Sequence, residues 1–266
     1  MLYFGRLHAK KLLFIFGCQR SGTNATLDTL GTLPGTIHFP EVNSPVTNLD
    51  TTELPKQTIR LNPLAEVART VKWRRHKNIV IKPLVECQSA AEILDYFPNA
   101  KGLWMYRHYK DVVASMVRKW TAERGLEEAA EILSGDPNNW RADNIDGPLR
   151  ETVQAAVDQG ITGQDGWGLL WYTRNAHYFR QNLMERADLA LVRYRHLVEN
   201  RDLFDAVMHH LDRDELKFGD RWPYNAKSLN AGNDVQFSPH ITPILEDMMA
   251  RLDAHAFTAA PVEAAK

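Results

Sequence analysis

Two clusters in this chain combine the residue types and spacing needed to hold an anion. The first is Gly17-Cys18-Gln19-Arg20-Ser21-Gly22-Thr23-Asn24, between an apolar run (Leu12 to Phe16) and a stretch where Leu27, Leu30 and Leu33 recur every three positions. A glycine-containing turn between a buried strand and a helix can aim backbone N–H groups and the helix N-terminus at an anion. Its spacing satisfies the GxxxxG half of a nucleotide P-loop, but Thr23-Asn24 stand where that loop needs Lys-[Ser/Thr]. A Mg-nucleotide loop uses that Lys on the phosphates and that hydroxyl on the metal. Here the only cation is Arg20, inside the turn. The second cluster is Tyr106-Arg107-His108-Tyr109-Lys110-Asp111, with Ser115 following. An arginine fork plus a hydroxyl suits a phosphate.

Both clusters need a sheet edge to face. Leu12–Phe16, Ile79–Ile81, Leu103–Tyr106 and Leu189–Val192 are short continuous apolar runs, expected as strands buried on both faces. Between them the patterning predicts helices over residues 25–33, 90–97, 111–120 (Asp111 as N-cap), 167–183, 203–211 and 241–252. Alternating strands and helices give an α/β class: a P-loop-like central parallel sheet of four or five strands, flanked by helices. In such folds ligands bind at the carboxyl edge of the strands, where residues 17–24 and Arg107 would lie. Residues 40–63 and 217–239 are expected as loop and 259–266 as a frayed tail. Residues 121–166, with polar helix formers over 123–132, are expected as a helical insertion in a single domain spanning 1–266.

Composition excludes several classes. The 266 residues carry 32 Lys+Arg against 33 Asp+Glu, a net charge of −1, without the basic excess of a duplex-binding protein. Cys18 and Cys87 are too few for a disulfide framework or a four-Cys zinc site and are expected as buried thiols. His209-His210 diverge on a helix, so no shared metal is expected. The apolar run 12–17 is far short of the ~18 residues a membrane span needs. The cytoplasm is the expected location.

Taken as a pair, Arg20-Ser21-Gly22-Thr23 and Arg107 with Ser115 eight residues on resemble the sulfotransferase family. The resemblance covers residues 11–45, 79–120 and 189–211. It implies that the first loop (Arg20, Ser21, Gly22, Thr23, Asn24) holds the 5′-phosphosulfate of 3′-phosphoadenosine 5′-phosphosulfate (PAPS), and that Arg107 and Ser115 hold its 3′-phosphate. Tyr109 stands where the family usually has Pro, and Asn24 where a second Thr is common. Leu191-Val192-Arg193-Tyr194-Arg195-His196-Leu197 is similar to the family's later "RYEDL" strand end, which implies Tyr194 near the adenosine. Lys227 and Ser228, in a late polar loop, would close on the 3′-phosphate.

Sulfonate transfer to an alcohol needs a base for the hydroxyl and a cation for the leaving phosphate oxygen. The Lys-Thr-His-like motif of the small-molecule enzymes reads Lys82-Pro83-Leu84 here, so its His is absent. Other branches, including tyrosylprotein and several bacterial sulfotransferases, use a Glu about 21 residues beyond the loop Arg. That position is Glu41, which becomes the expected base, with Glu86 and His38 behind it. Arg20 and Lys82 are expected to stabilise the leaving oxygen. PAPS is the expected co-substrate, without a metal, and the acceptor a small-molecule, carbohydrate or peptide hydroxyl. Trp167, Trp171, Tyr172 and Tyr178 form a stripe expected mainly as core. The rival readings are a Mg-nucleotide kinase or NTPase and a non-catalytic nucleotide-binding protein.

Overall fold

A computed structural model describes residues 7–50, 58–218 and 222–258. Five parallel strands make the central sheet, in the order β2 (Thr36–Phe39), β5 (Asn78–Ile81), β1 (Lys11–Gly17), β6 (Lys101–Tyr106) and β7 (Leu189–Arg193). Leu13 and Phe14 pair with Val80 and Ile81 on one side of β1, and Phe16 and Gly17 with Trp104 and Met105 on the other.

The continuous apolar runs arise because both faces of the sheet are covered. Successive side chains alternate between faces, so each strand must be apolar throughout. Leu12, Phe14, Phe16, Ile79, Ile81, Trp104 and Tyr106 belong to one core. Leu13, Ile15, Val80, Leu103, Met105 and Val192 belong to the other. α1 (Thr23–Leu30) and α9 (Asp202–His210) pack on the second face through Leu27, Leu30, Phe204 and Val207. Helices α2 (Leu64–Lys72), α3 (Ala90–Tyr96), α4 (Tyr109–Trp120), α7 (Gly163–Arg180) and α10 (Thr242–His255) contribute to the first. The predicted α/β class and parallel sheet are what the molecule has.

Four details differ from expectation. β2 occupies a segment in which no strand was foreseen; only Thr36 and Phe39 of its four residues are buried, so it lacks a fully apolar run. Residues 40–63 are not all loop: β3 (Thr47–Asp50) and β4 (Thr58–Leu61) pair antiparallel. Glu86 anchors that pair by accepting from Leu61 N at 2.9 Å and from Arg60 Nε at 2.8 Å. Asp111 does not cap α4. The cap is His108, and the Asp111 carboxylate instead accepts from Asn230 N (3.3 Å) and Gly232 N (3.1 Å), tying down the late loop. Finally, α7 starts at Gly163 rather than Trp167, inside residues 121–166, where the expected helical insertion consists of α5 (Arg124–Leu133) and α6 (Gly147–Asp158). A capping box between Thr162 and Asp165 sets the start of α7. The remaining short helix, α8 (Tyr194–Glu199), follows β7 directly. The tail 259–266 lies outside the described residues. Among the described residues no helix is long and apolar enough to cross a membrane.

Candidate active site

The carboxyl ends of all five strands open on one edge of the sheet, where a cavity of about 760 Å³ lies. Gln19, Arg20, Gly22, Thr23, Asn24, Glu41, Arg107, Ser115 and Tyr194 line it, along with residues of the 121–166 segment. The two sequence clusters and the expected base therefore share one space.

The β1–α1 turn is held by close packing. Gly17 has φ +127° and Gly22 φ +92°. A Cβ on Gly17 would lie 2.0 Å from the Met105 carbonyl oxygen, and one on Gly22 would lie 2.6 Å from the Tyr194 ring. Only glycine meets both demands without strain. Cys87 steadies the first of these: its Sγ accepts from Gly17 N at 3.2 Å. Cys18 and Cys87 are buried thiols outside any disulfide, and burial pushes both up from the ordinary thiol range. The N–H groups of Ser21, Gly22, Thr23 and Asn24 find no acceptor among the described residues. Ser21 is fully buried and its hydroxyl has no partner there either, although Ser21 is not part of the cavity wall. A turn with unsatisfied N–H groups at a helix N-terminus is an anion-binding geometry.

Beside it stands a cationic group. Arg20 Nε donates to Ser115 Oγ at 2.9 Å. Arg107, 7% exposed, donates through Nη2 to the Ser228 carbonyl and through Nη1 to the Arg20 carbonyl at 3.4 Å. Its Nε lies 3.6 Å from Asp111, and its guanidinium sits 5.0 Å from the Tyr194 ring centre. Burial lowers the Arg107 pKa, opposed chiefly by Asp111, and Arg20 lowers it further; burial followed by Arg118 lowers that of Arg20. Arg20 thus holds the Ser115 hydroxyl and Arg107 the Arg20 carbonyl, with the Asp111 carboxylate beside Arg107. Tyr194 OH shares a 2.8 Å hydrogen bond with Ser228 Oγ, which brings the late loop onto the site. Lys227, next to it, is exposed and lines no part of the cavity.

At the other end, Lys82 Nζ donates to Asn24 Oδ1 and forms an ion pair with Glu41. The Lys82 side chain is 2% exposed and that of Glu41 20%. Glu41 lies on the wall and remains reachable. The two alternative bases are placed elsewhere. Glu86 is 5% exposed and its oxygens are taken by Arg60, Leu61 N and Gln88. His38 lies on β2 against Gly31 and does not line the cavity.

Sequence reasoning missed the far wall. Lys119, Trp120, Arg124, Glu128, Trp140 and Arg141 line the cavity beside Trp167 and Leu170. Lys119 and Trp120 end the helix expected over 111–120 and the other four fall in the helical insertion expected over 121–166; nothing in their residue types marked them as a site. The aromatic stripe is mainly core, as expected: Trp171 and Tyr178 are buried, and Trp171 Nε1 donates to the Arg107 carbonyl at 3.0 Å. Trp167 alone of the four reaches the cavity.

No family model matches the sequence, and no curated protein matches it. Among solved structures, this chain is similar to a sulfotransferase from Alicyclobacillus acidocaldarius, with 14% identity and a TM-score of 0.49 over 94% of this chain and 97% of that one. It is also similar to a sulfotransferase from Mycobacterium tuberculosis H37Rv, with 13% identity and a TM-score of 0.40 over 92% of this chain and 77% of that one.

Proposed function

We propose that this protein is a sulfotransferase that moves a sulfonate group from PAPS to a hydroxyl of an acceptor. One observation carries the reading. The Ser21–Asn24 turn, whose N–H groups lack acceptors among the described residues, borders through Gly22, Thr23 and Asn24 a cavity that Arg20, Arg107 and Ser115 also line. That arrangement fits a ligand with anionic groups at two separate points, as PAPS has.

In this reading the turn N–H groups, with Ser21, Gly22, Thr23 and Asn24, hold the 5′-phosphosulfate. Arg107 and Ser115 hold the 3′-phosphate, with the Arg20 guanidinium turned toward them. Tyr194, packed against Gly22 and Arg107, lies along the adenosine, and the loop carrying Lys227 and Ser228 closes over it. When bound, PAPS supplies the sulfonate: a bond from the acceptor oxygen to sulfur forms as the bond from sulfur to the phosphate oxygen breaks. Glu41 takes the acceptor proton. Lys82, buried beside Asn24, turns its ammonium from Glu41 to the phosphate oxygen that gains charge, an electrostatic role in which Arg20 assists. The 121–166 segment covers the acceptor side, and the whole forms one domain.

Strand ends distinguish this from a Mg-nucleotide enzyme. β5 runs into Lys82 and β6 into Arg107, where such an enzyme would place a metal-binding acid. Glu41, on the cavity wall and paired with Lys82, argues for catalysis over simple binding. The test is Glu41→Gln, assayed for PAPS turnover and for thermal stabilisation by PAP. Loss of a general base costs about 10²–10⁴-fold in turnover. The variant should lose that much while PAP still raises its melting temperature. Near-normal turnover would remove Glu41 as the base, and no PAP stabilisation of the wild-type protein would remove the sulfotransferase reading itself.

A further inference from the structure

The far wall of the cavity has a charge pattern that the reading above leaves unused. Glu128 is buried, its side chain 4% exposed, yet it serves two arginines from different segments. Arg124 Nε donates to Glu128 Oε1 at 3.1 Å, and Arg141 Nη2 donates to the same oxygen at 3.0 Å while its Nε reaches Oε2. Arg124 also contacts exposed Glu127, which does not line the cavity. Each guanidinium keeps one terminal nitrogen, Nη2 of Arg124 and Nη1 of Arg141, without an acceptor among the described residues. Glu128 and Glu127 together balance the two guanidiniums, so the excess positive charge on this wall comes from Lys119, while the two open guanidinium nitrogens supply donors.

Flat aromatic surface adjoins that charge. Arg141 lies over the Trp140 ring at 4.2 Å, Lys119 over Trp120 at 4.6 Å, and Trp120 stacks on Trp167 with centroids 5.6 Å apart. Trp120 is 39% exposed, an unusual position for so large an apolar group. Trp140, covered by Arg141 and Arg174, and Trp167 are buried, so Trp120 is the ring of the three with exposed surface for a ligand ring, and guanidiniums held by a buried carboxylate offer pre-oriented N–H groups for an anion.

We propose that the acceptor is a hydroxyl-bearing ring compound that itself carries an anionic group, with the ring against Trp120 and the anion on Arg124 and Arg141. This rests on the sulfotransferase reading and specifies its acceptor class. The shared chemistry admits an acidic sugar or an aromatic acid, and two matched pairs of probes separate them. One pair is para-nitrophenyl glucuronide and para-nitrophenyl glucoside. The other is para-hydroxyphenylacetate and its methyl ester. Each is scored by stabilisation of the PAP-loaded protein and by PAPS turnover.

The charged member should exceed its neutral partner about tenfold in kcat/KM in at least one pair, the scale of a partly exposed charge-assisted hydrogen bond. Arg124→Ala leaves Glu128 paired with Arg141 and should bring that ratio close to one. Glu128→Gln keeps a hydrogen-bond acceptor for both arginines, removes the neutralising charge and should raise the ratio. Opposite shifts from the two variants are not what a purely structural triad would produce. Equal or lower performance of the charged members in both pairs, or ratios unmoved by either variant, would overturn the acceptor assignment while leaving PAP binding intact. A protein that PAP fails to stabilise would instead overturn the sulfotransferase reading, and this inference with it.

Discussion

Arg107 and Ser115 should be visible through the 3′-phosphate alone. The measurement is the ratio of dissociation constants for AMP and PAP, which differ only by that phosphate, taken by calorimetry on the wild-type protein and on Arg107→Gln and Ser115→Ala. Arg107 is 7% exposed and already spends Nη2 on the Ser228 carbonyl. Its Nη1 contact to the Arg20 carbonyl is long, at 3.4 Å, and can be redirected. A hydrogen bond to a charged group contributes about 1.5–3 kcal/mol. At tenfold per 1.4 kcal/mol, Arg107→Gln should cut the ratio by roughly 10- to 150-fold. Ser115 offers one hydroxyl, and its loss frees Arg20 Nε from a 2.9 Å bond, so part of the loss is recovered. Ser115→Ala should therefore cut the ratio by about 3- to 10-fold, near the lower bound for one such bond. Damage to the fold as a whole weakens both ligands together and leaves the ratio alone. A ratio unchanged in both variants would refute the 3′-phosphate site.

Two further outcomes concern the frame around the site. Gly17→Ala should destabilise the fold by about 2–4 kcal/mol in urea unfolding, because φ +127° is strained for alanine and its Cβ would overlap the Met105 carbonyl. Gly35→Ala, at φ +71° with open space around it, is the control and should cost only about 1 kcal/mol; equal costs would mean that the close approach at the turn does not matter. His177, buried in α7, has its pKa pushed well below the usual histidine range by burial, then by Arg174 and Arg180. The unfolded chain binds a proton there near pH 6.5 while the folded chain does not, so the stability it contributes is complete above that pH and lost as pH falls. Stability curves of wild type and His177→Gln should converge below about pH 6.5 at up to about 1.4 kcal/mol per pH unit, and parallel curves would refute this.

The parts legible in the sequence are those whose chemistry is local. β1, β5, β6 and β7 announced themselves because burial on both faces forces every residue of a strand to be apolar. The β1–α1 turn and Arg107 were legible because glycines, a cation and hydroxyls stood directly after such strands. β2 escaped because Thr36 and His38 dilute its apolar character and only its two end residues are buried, whereas β7, also at an edge, is a continuous buried apolar run. The β3–β4 pair escaped because it is held by a distant residue: Glu86, from the segment after β5, satisfies Arg60 and Leu61 N. Asp111 had the residue type and position of a cap, and only the arrival of residues 230–232 shows what it holds. The cavity's far wall was invisible for the same reason. Glu128 looks like any solvated helix carboxylate until Arg141, thirteen residues on, folds back onto it.

Strand order explains why residues so far apart in sequence line one cavity. Along the carboxyl edge the sheet presents, in turn, Glu41 after β2, Lys82 after β5, the 17–22 turn after β1, Arg107 after β6 and Tyr194 after β7. Neighbouring strands are about 4.8 Å apart, so the five ends span roughly 19 Å. In the proposed reading this row maps onto the reaction in sequence. The proton acceptor comes first, then the cation for the leaving oxygen, the cradle for the 5′ end, the 3′-phosphate fork and the ring beside the base. The switch in chain direction at β1, with β5 on one side and β6 on the other, puts the anion cradle at the centre of that row. There, crossovers leave to opposite sides and the edge opens into a crevice. The near-zero net charge is no obstacle, because the fold brings Arg20 and Arg107 together on the cavity wall. An extra residue between β5 and Lys82 would shift the ammonium by about one residue length while leaving every motif intact, so position along the edge, as much as residue type, would determine whether this site turns over PAPS.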